Sequence, residues 1–127
     1  MHMITEWRPP FHPPYSYRIL YAGHDLMLLL FLQYMLEDCQ TVRAPLGSIA
    51  RLFIEHINCS LLLFDERLPD TTGQALARYA RSLAHRQHTP IVIFKQSGDF
   101  ERLAGAITRL LTDRKSSGYF ADDKTMR

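Results

Sequence analysis

Short apolar runs along the chain alternate with longer segments in which apolar residues recur at helical spacing. A continuous apolar run is typical of a strand that is covered on both faces of a parallel sheet. The predicted strands are Arg18–Ala22, Gln40–Arg43, Ser60–Phe64 and Ile91–Phe94, and the predicted helices are Leu26–Asp38, Gly47–Ile57, Gln74–His85 and Phe100–Arg114. Because strands and helices alternate, we expect a doubly wound parallel α/β sheet of four strands with helices on both faces.

The two ends of the chain fall outside this alternation. Residues 1–16 contain four prolines between aromatic residues, and proline density excludes a regular helix or an internal strand. The sequence therefore predicts an N-terminal arm over residues 1–16, an α/β domain over residues 17–115, and a C-terminal tail over residues 116–127.

The first helix is apolar on nearly every face. Its residues 26–32 are all large and apolar, and such a run cannot turn every side chain toward one sheet. Some of these side chains must meet another surface, which is either a second copy of the chain or the N-terminal arm. In the second helix, Ile49, Leu52, Phe53 and His56 recur at helical spacing.

Composition narrows the class of protein. The chain is 46% hydrophobic and 22% charged with a formal net charge of +2, which is too small to indicate nucleic-acid binding. Cys39 and Cys59 have no metal-type spacing and are expected to be buried thiols. The longest apolar run falls short of the roughly 20 residues that a membrane span needs, so we expect a cytoplasmic protein.

One segment carries the candidate chemistry. Asp65 directly follows a buried strand, and Pro69 and Gly73 come four and eight residues later in LLLFDERLPDTTG. The pattern resembles the receiver domains of bacterial response regulators, whose third strand ends in a phosphoacceptor aspartate followed by Pro and Gly at those offsets. The resemblance implies a flavodoxin-like fold, with Asp65 as phosphoacceptor and with Pro69 and Gly73 shaping the loop.

The same resemblance implies a magnesium site that this chain does not fully keep. Receivers end their first strand in an acidic pair, but Gly23 and His24 stand at those positions and only Asp25 is acidic. Neutral imidazole is a poor ligand for Mg²⁺, which prefers hard oxygen ligands. Asp25 and Asp65 are the remaining candidate ligands, and Asp25 is alternatively the N-cap of the first helix.

Receivers also place a lysine at the tip of the last strand and a hydroxyl residue at the tip of the strand before it. Lys95 matches the lysine if Ile91–Phe94 is that last strand, which implies that about one β-α unit is missing between Arg86 and Pro90. Lys95 is then expected to point at Asp65 and to contact the phosphoryl group. The weak candidates for the hydroxyl residue are Ser97 and Thr89.

The resemblance implies a stand-alone receiver module, a phosphoprotein of two-component phosphorelay signalling. It would accept a phosphoryl group on Asp65 from a histidine kinase or phosphotransfer protein and dock onto a target protein, with no enzymatic activity beyond slow self-phosphorylation and dephosphorylation. The alternative is a pseudo-receiver that has the same fold but acts only in protein interaction or dimerisation.

Two other classes compete less well. A small α/β enzyme could use Asp65, Glu66, His24 and Lys95 for acid-base chemistry, but it should then have a concave site beside them. Binding to nucleic acid would depend on a basic patch formed by Arg78, Arg81, His85, Arg86 and His88, a pattern more typical of a solvated helix face.

Overall fold

The computed structural model describes residues 16–95, 99–112 and 119–121. In chain order the elements are β1 (Tyr17–Ala22), α1 (Leu26–Met35), β2 (Cys39–Ala44), α2 (Gly47–His56), β3 (Leu61–Asp65), α3 (Gly73–Arg81), β4 (Ile91–Phe94), α4 (Phe100–Thr112) and β5 (Tyr119–Ala121). All strands are parallel, and the sheet order is β2-β1-β3-β4-β5.

The predicted doubly wound parallel sheet is confirmed, and all four predicted strands are present. The sheet has one strand more than the four expected, because three residues of the predicted C-terminal tail pair with β4. Since β4 is the fourth strand and β5 follows it, the prediction that a β-α unit is missing between Arg86 and Pro90 is wrong, and Lys95 does not follow the last strand. A three-residue strand between polar segments carries too little apolar pattern to be found from sequence. Residues 1–15 of the predicted arm lie outside the described residues.

Helices cover both faces of the sheet. On one face, α1 and α4 bury alternate strand residues such as Tyr21, Leu63 and Phe94. On the other face, α2 and α3 bury the intervening strand residues, such as Leu62 and Phe64. Alternate residues of a strand point to opposite faces, so the continuous apolar runs are explained by burial on both sides.

Helices α1 and α3 end three or more residues before their predicted ends. Helix α1 ends at Met35 rather than Asp38, because the chain must turn before β2 begins at Cys39. Helix α3 ends at Arg81 and is followed by one turn of 3₁₀ helix over Ala84–Arg86. No helix in the described part of the chain has both the length and the apolar character needed to cross a membrane.

The loop after β3 is tied to two helices, which fixes the chain around Asp65. The Asp70 carboxylate accepts hydrogen bonds from the backbone N–H groups of Gly47, at 2.7 Å, and Ser48, at 3.1 Å, at the start of α2. The Thr72 hydroxyl caps α3 by accepting from the N–H of Ala75. The first N–H groups of a helix have no partner within the helix, and a carboxylate at this end satisfies them. The hydrogen bond from the Gly47 N–H, with a smaller contribution from that of Ser48, lowers the pKa of Asp70.

Candidate functional site

The carboxyl ends of β1, β3 and β4 meet around Asp65. Asp65 is the last residue of β3, is half-buried, and lies beside Phe94 on β4. The N–H of Glu66 continues the ladder by donating to the carbonyl oxygen of Phe94 at 2.9 Å. This position at a strand end agrees with the sequence prediction and with the general placement of ligand sites in such sheets.

A buried tyrosine holds the carboxylate of Asp65. Tyr21 lies on β1 with no exposed surface, and its hydroxyl donates a 2.8 Å hydrogen bond to Oδ1 of Asp65. The same hydroxyl accepts a 3.1 Å hydrogen bond from the backbone N–H of Asp25. Both the donor and the acceptor capacity of the phenol are therefore used inside the site.

Burial and hydrogen bonding act in opposite directions on Asp65. Burial raises the pKa of Asp65 above its usual value, because desolvation disfavours the charged carboxylate. The Tyr21 hydroxyl, the backbone N–H of His24 and the His24 side chain oppose this rise, whereas the negative charge of Asp25 adds to it. For Tyr21, burial and the neighbouring Asp65 raise the pKa of the phenol, so it stays a neutral donor at physiological pH.

Because Gly23 has no side chain, the carboxylate of Asp65 can occupy the space beside it. A Cβ at position 23 would lie 2.4 Å from Oδ2 of Asp65 and 2.6 Å from the hydroxyl oxygen of Tyr21. Both distances are far below van der Waals contact. The volume that a side chain at position 23 would need is thus occupied by the Asp65 carboxylate and the Tyr21 hydroxyl.

Asp25 serves as the N-cap of α1. Its Oδ1 accepts a 3.1 Å hydrogen bond from the N–H of Leu28, and its backbone is extended as an N-cap requires. Among the described residues, no group of three or more His, Cys, Asp or Glu side chains is placed to hold a metal ion.

The structure does not bring the other predicted groups onto Asp65. Lys95 follows β4, but its side chain is exposed, and within the described residues it forms no ion pair with Asp65. Thr89 precedes β4 and lies at the opposite end of that strand from the site. Ser97 lies outside the described residues.

The loop residues of the motif take different positions. Gly73 is buried at the start of α3, and a Cβ there would lie 2.5 Å from the backbone oxygen of Asp65. Its N–H donates to the carbonyl oxygen of Glu66 at 2.9 Å, which closes the loop. Pro69 is exposed within that loop, and the following backbone returns through a bridge between Arg67 and Thr72.

The cleft above Asp65 is small. It has a volume of about 190 Å³ and is lined by His24, Asp65, Glu66, Arg67 and Phe94. Small-molecule sites usually occupy roughly 300–1,000 Å³. The cleft therefore gives little support to an enzyme that encloses a substrate.

The predicted basic patch is dispersed in the fold. Arg86 is buried, and Arg81 donates to the carbonyl oxygens of Arg86 and Thr89 at 2.8 Å. Only Arg78, His85 and His88 remain exposed. This arrangement does not form a continuous basic surface for nucleic acid.

Comparison with known proteins rests on structure. No protein-family model matches the chain, and no curated protein matches it. The signal receiver domain of a histidine kinase from Syntrophus aciditrophicus is similar with a TM-score of 0.67 and 19% identity, covering 76% of this chain and 91% of that domain. The HemR receiver domain from Leptospira biflexa has 26% identity and a TM-score of 0.58, covering 87% of this chain and 84% of that one.

The protein has the receiver-domain fold. A further receiver-fold neighbour, from the sensor histidine kinase PA1611 of Pseudomonas aeruginosa PAO1, has a magnesium ion coordinated in its active-site cleft. It is 16% identical to this chain with a TM-score of 0.64, and the match covers 75% of this chain and 97% of that domain.

The residues of this receiver fold do not fit magnesium. Gly23 has no side-chain ligand atom and its carbonyl oxygen accepts a hydrogen bond from Arg43. Oδ1 of Asp25 caps α1, and Oδ1 of Asp65 is bound to Tyr21. Mg²⁺ is bound through oxygen ligands in octahedral geometry, and the protein commonly supplies one or two carboxylates. Here neither carboxylate is free of a structural hydrogen bond.

Sequence reasoning missed Tyr21, the residue that most changes this site. Tyr21 lies in an apolar strand, one residue before the predicted strand end at Ala22. A buried tyrosine hydroxyl needs a hydrogen-bond partner, and the carboxyl end of a neighbouring strand is where one is available. That requirement was the signal in the sequence that could have linked Tyr21 to Asp65.

Proposed function

We propose that this protein is a receiver-fold signalling module that acts by protein docking, without magnesium-dependent phosphorylation of Asp65. The observation that carries the proposal is the position of the Asp65 carboxylate, which fills the space beside Gly23 and is bound to the Tyr21 hydroxyl. This is the pseudo-receiver alternative of the sequence analysis. The phosphoacceptor role of Asp65 and the phosphoryl-contacting role of Lys95 stay predictions.

The chemistry of phosphoryl transfer supports this choice. Transfer to a carboxylate depends on positioning and on neutralising the charge of the transferring group, which a metal ion and a cationic side chain usually supply. Neither the acidic pair nor a lysine in contact with Asp65 is present among the described residues. The hydrogen bond from Tyr21 also occupies Oδ1 of Asp65, which leaves Oδ2 as the oxygen that would have to attack a phosphoryl donor.

The docking partners follow from the receiver fold. A histidine kinase, a phosphotransfer protein or a downstream target protein is the expected class, and no substrate turnover is expected of the module itself. The competing function is the phosphorelay role, because Asp65 is partly exposed and a phosphoryl donor could reach it. The test therefore addresses Asp65 directly.

The test is intact-mass analysis after incubation with acetyl phosphate, with and without Mg²⁺. We expect no phosphoryl adduct that needs both Mg²⁺ and Asp65. A receiver domain that holds magnesium in its cleft is treated in parallel, so that the activity of the donor is known.

Two further samples make the result decisive. Asp65→Asn removes the acceptor while keeping the side-chain size, and Tyr21→Phe removes the hydroxyl that binds the carboxylate. An adduct on the wild type that disappears in Asp65→Asn would overturn the proposal and establish the phosphorelay role. An adduct that forms only in Tyr21→Phe would support the proposal, since it would identify the Tyr21 hydrogen bond as the block.

A further inference from the structure

Helix α1 presents an apolar face that the described part of the chain does not cover. Leu26, Met27, Leu30 and Tyr34 are between 55% and 79% exposed. Leu28 and Leu32 lie on the opposite side of the helix and are fully buried against the sheet and α4. The inner side of α1 is therefore satisfied within the fold, and the outer side is not.

The outer side forms a continuous stripe along the helix. Leu26, Leu30 and Tyr34 follow each other at intervals of four residues, and Met27 lies beside them. We call these four residues the α1 face. No residue of α1 carries a charge, so a partner that covers this face must itself be apolar and uncharged there.

The α1 face is large enough for a modest specific interface. A fully exposed large apolar or aromatic side chain offers on the order of 200 Å², so four such side chains at these exposures contribute roughly 500 Å² per copy. Two copies would bury about 1,000 Å² in total, which is near the smallest area expected of a specific protein–protein interface.

The charges around α1 favour a second copy in antiparallel orientation. The helix has no acidic residue in its first turn and no basic residue in its last turn. Asp25, the N-cap, is the residue that compensates the positive end of the helix dipole, and α1 supplies no positive charge at the negative end. Exposed Glu37 and Asp38 follow its C-terminal end, and exposed His24 precedes its N-terminal end. Antiparallel pairing sets the acidic end of one helix beside the positive end of the other, whereas parallel pairing sets like ends together.

We propose that the protein forms a two-fold symmetric homodimer through the α1 face. The inference does not depend on whether Asp65 is phosphorylated. Because Leu30 lies at the middle of the ten-residue helix, it lies close to the two-fold axis and meets Leu30 of the second copy. A charge at this position is then placed against itself in the dimer.

The test is sedimentation velocity on the full chain from micromolar to near-millimolar concentration. We expect the wild type to sediment with twice the chain mass of 14.8 kDa. Leu30→Glu should weaken the dimer at least about 100-fold, since two uncompensated carboxylates are buried side by side. The matched control is Leu52→Glu on α2, because Leu52 is 57% exposed and Leu30 is 58% exposed.

A charge-swap sample tests the symmetry. An equimolar mixture of Leu30→Glu and Leu30→Lys should recover the dimer mass, because residue 30 of one copy meets residue 30 of the other. Circular dichroism of each variant confirms that the fold is kept.

Three results would overturn the proposal. The first is a wild type that stays monomeric at the highest concentration; hydrogen-exchange protection of α1 in such a monomer would identify residues 1–15 as the cover. The second is equal weakening by Leu30→Glu and Leu52→Glu. The third is a wild-type dimer that Leu30→Glu leaves intact.

Discussion

Replacing Arg86 with methionine is expected to lower the free energy of unfolding by about 3 kcal/mol. Arg86 is only 4% exposed, and its guanidinium donates to the carbonyl oxygens of Ile54, at 2.9 Å, and Cys59, at 3.2 Å, and to that of Ile57. These three carbonyls close the end of α2 and the chain that leads into β3. Methionine fills similar volume but donates no hydrogen bond, so the buried carbonyls lose their partner.

The matched control for Arg86 is Arg78, an exposed arginine on the helix that precedes it. Arg78→Met on α3 removes the same charge from the surface and is expected to change stability by less than about 0.5 kcal/mol. Urea unfolding followed by circular dichroism at neutral pH measures both variants. Equal losses in the two variants would show that Arg86 acts through net charge and would contradict its role as a bridge between buried carbonyls.

Alanine is expected to have opposite effects at two glycines that both lie within helices. At Gly73 the added Cβ would lie 2.5 Å from the backbone oxygen of Asp65 and 3.2 Å from Cγ2 of Ile93. A backbone oxygen in a sheet cannot move away cheaply, so Gly73→Ala should cost roughly 1–3 kcal/mol. At Gly105, in the exposed middle of α4, a Cβ meets nothing within 4 Å, and Gly105→Ala should stabilise the fold by about 0.5–1 kcal/mol.

Thermal and urea unfolding of the two alanine variants check this pair of predictions. The sign difference is informative because the substitution and the type of element are the same. A gain of stability in Gly73→Ala would contradict the packing described around Asp65, and a loss of stability in Gly105→Ala would contradict the open space described at that position of α4. The Gly73 result also tests whether the glycine of the DxxxP…G motif is needed for close approach of α3 to β3.

The strands were predictable because they are buried on both faces. The runs Ser60–Phe64 and Ile91–Phe94 contain no alternation and match β3 and β4 within one residue at each end. β5 was not predictable, because three residues between polar segments are too few to show a strand pattern. A turn or a tail could contain the same three residues. The C-terminal end of α1 was also missed, because the sequence stays apolar to Leu36 while the length of the connection to β2 decides where the helix stops.

The inward face of α2 shows a different limit. Helical spacing grouped Leu52 with Ile49 and Phe53, yet Leu52 is exposed and the helix instead buries Ala50 and Ile54. A ten-residue helix with apolar residues at many positions can rotate about its own axis by about one residue and still direct apolar side chains toward the sheet. The rotation is then set by packing on β1 and β2, which no local pattern reports.

The candidate site was predictable in position but not in detail. Parallel strands end at one edge of the sheet, so Asp65 and the residues after β1 had to lie close together. The direction of the Lys95 side chain depends on the chain after β4, and its predicted approach to Asp65 is not found among the described contacts. The hydrogen bond from Tyr21 requires knowledge of which strand neighbours β3, and that is a property of the topology.

We propose that Tyr21 and the space beside Gly23 hold the Asp65 carboxylate in a site that does not bind magnesium. An NMR pH titration of the carboxyl carbon of Asp65, with and without millimolar Mg²⁺, tests this. An ordinary aspartate has a pKa of about 3.9, and burial is expected to place the pKa of Asp65 above that value. We expect the same raised pKa in both titrations. A pKa at or below the ordinary value, or a pKa that falls when Mg²⁺ is added, would rule the proposal out.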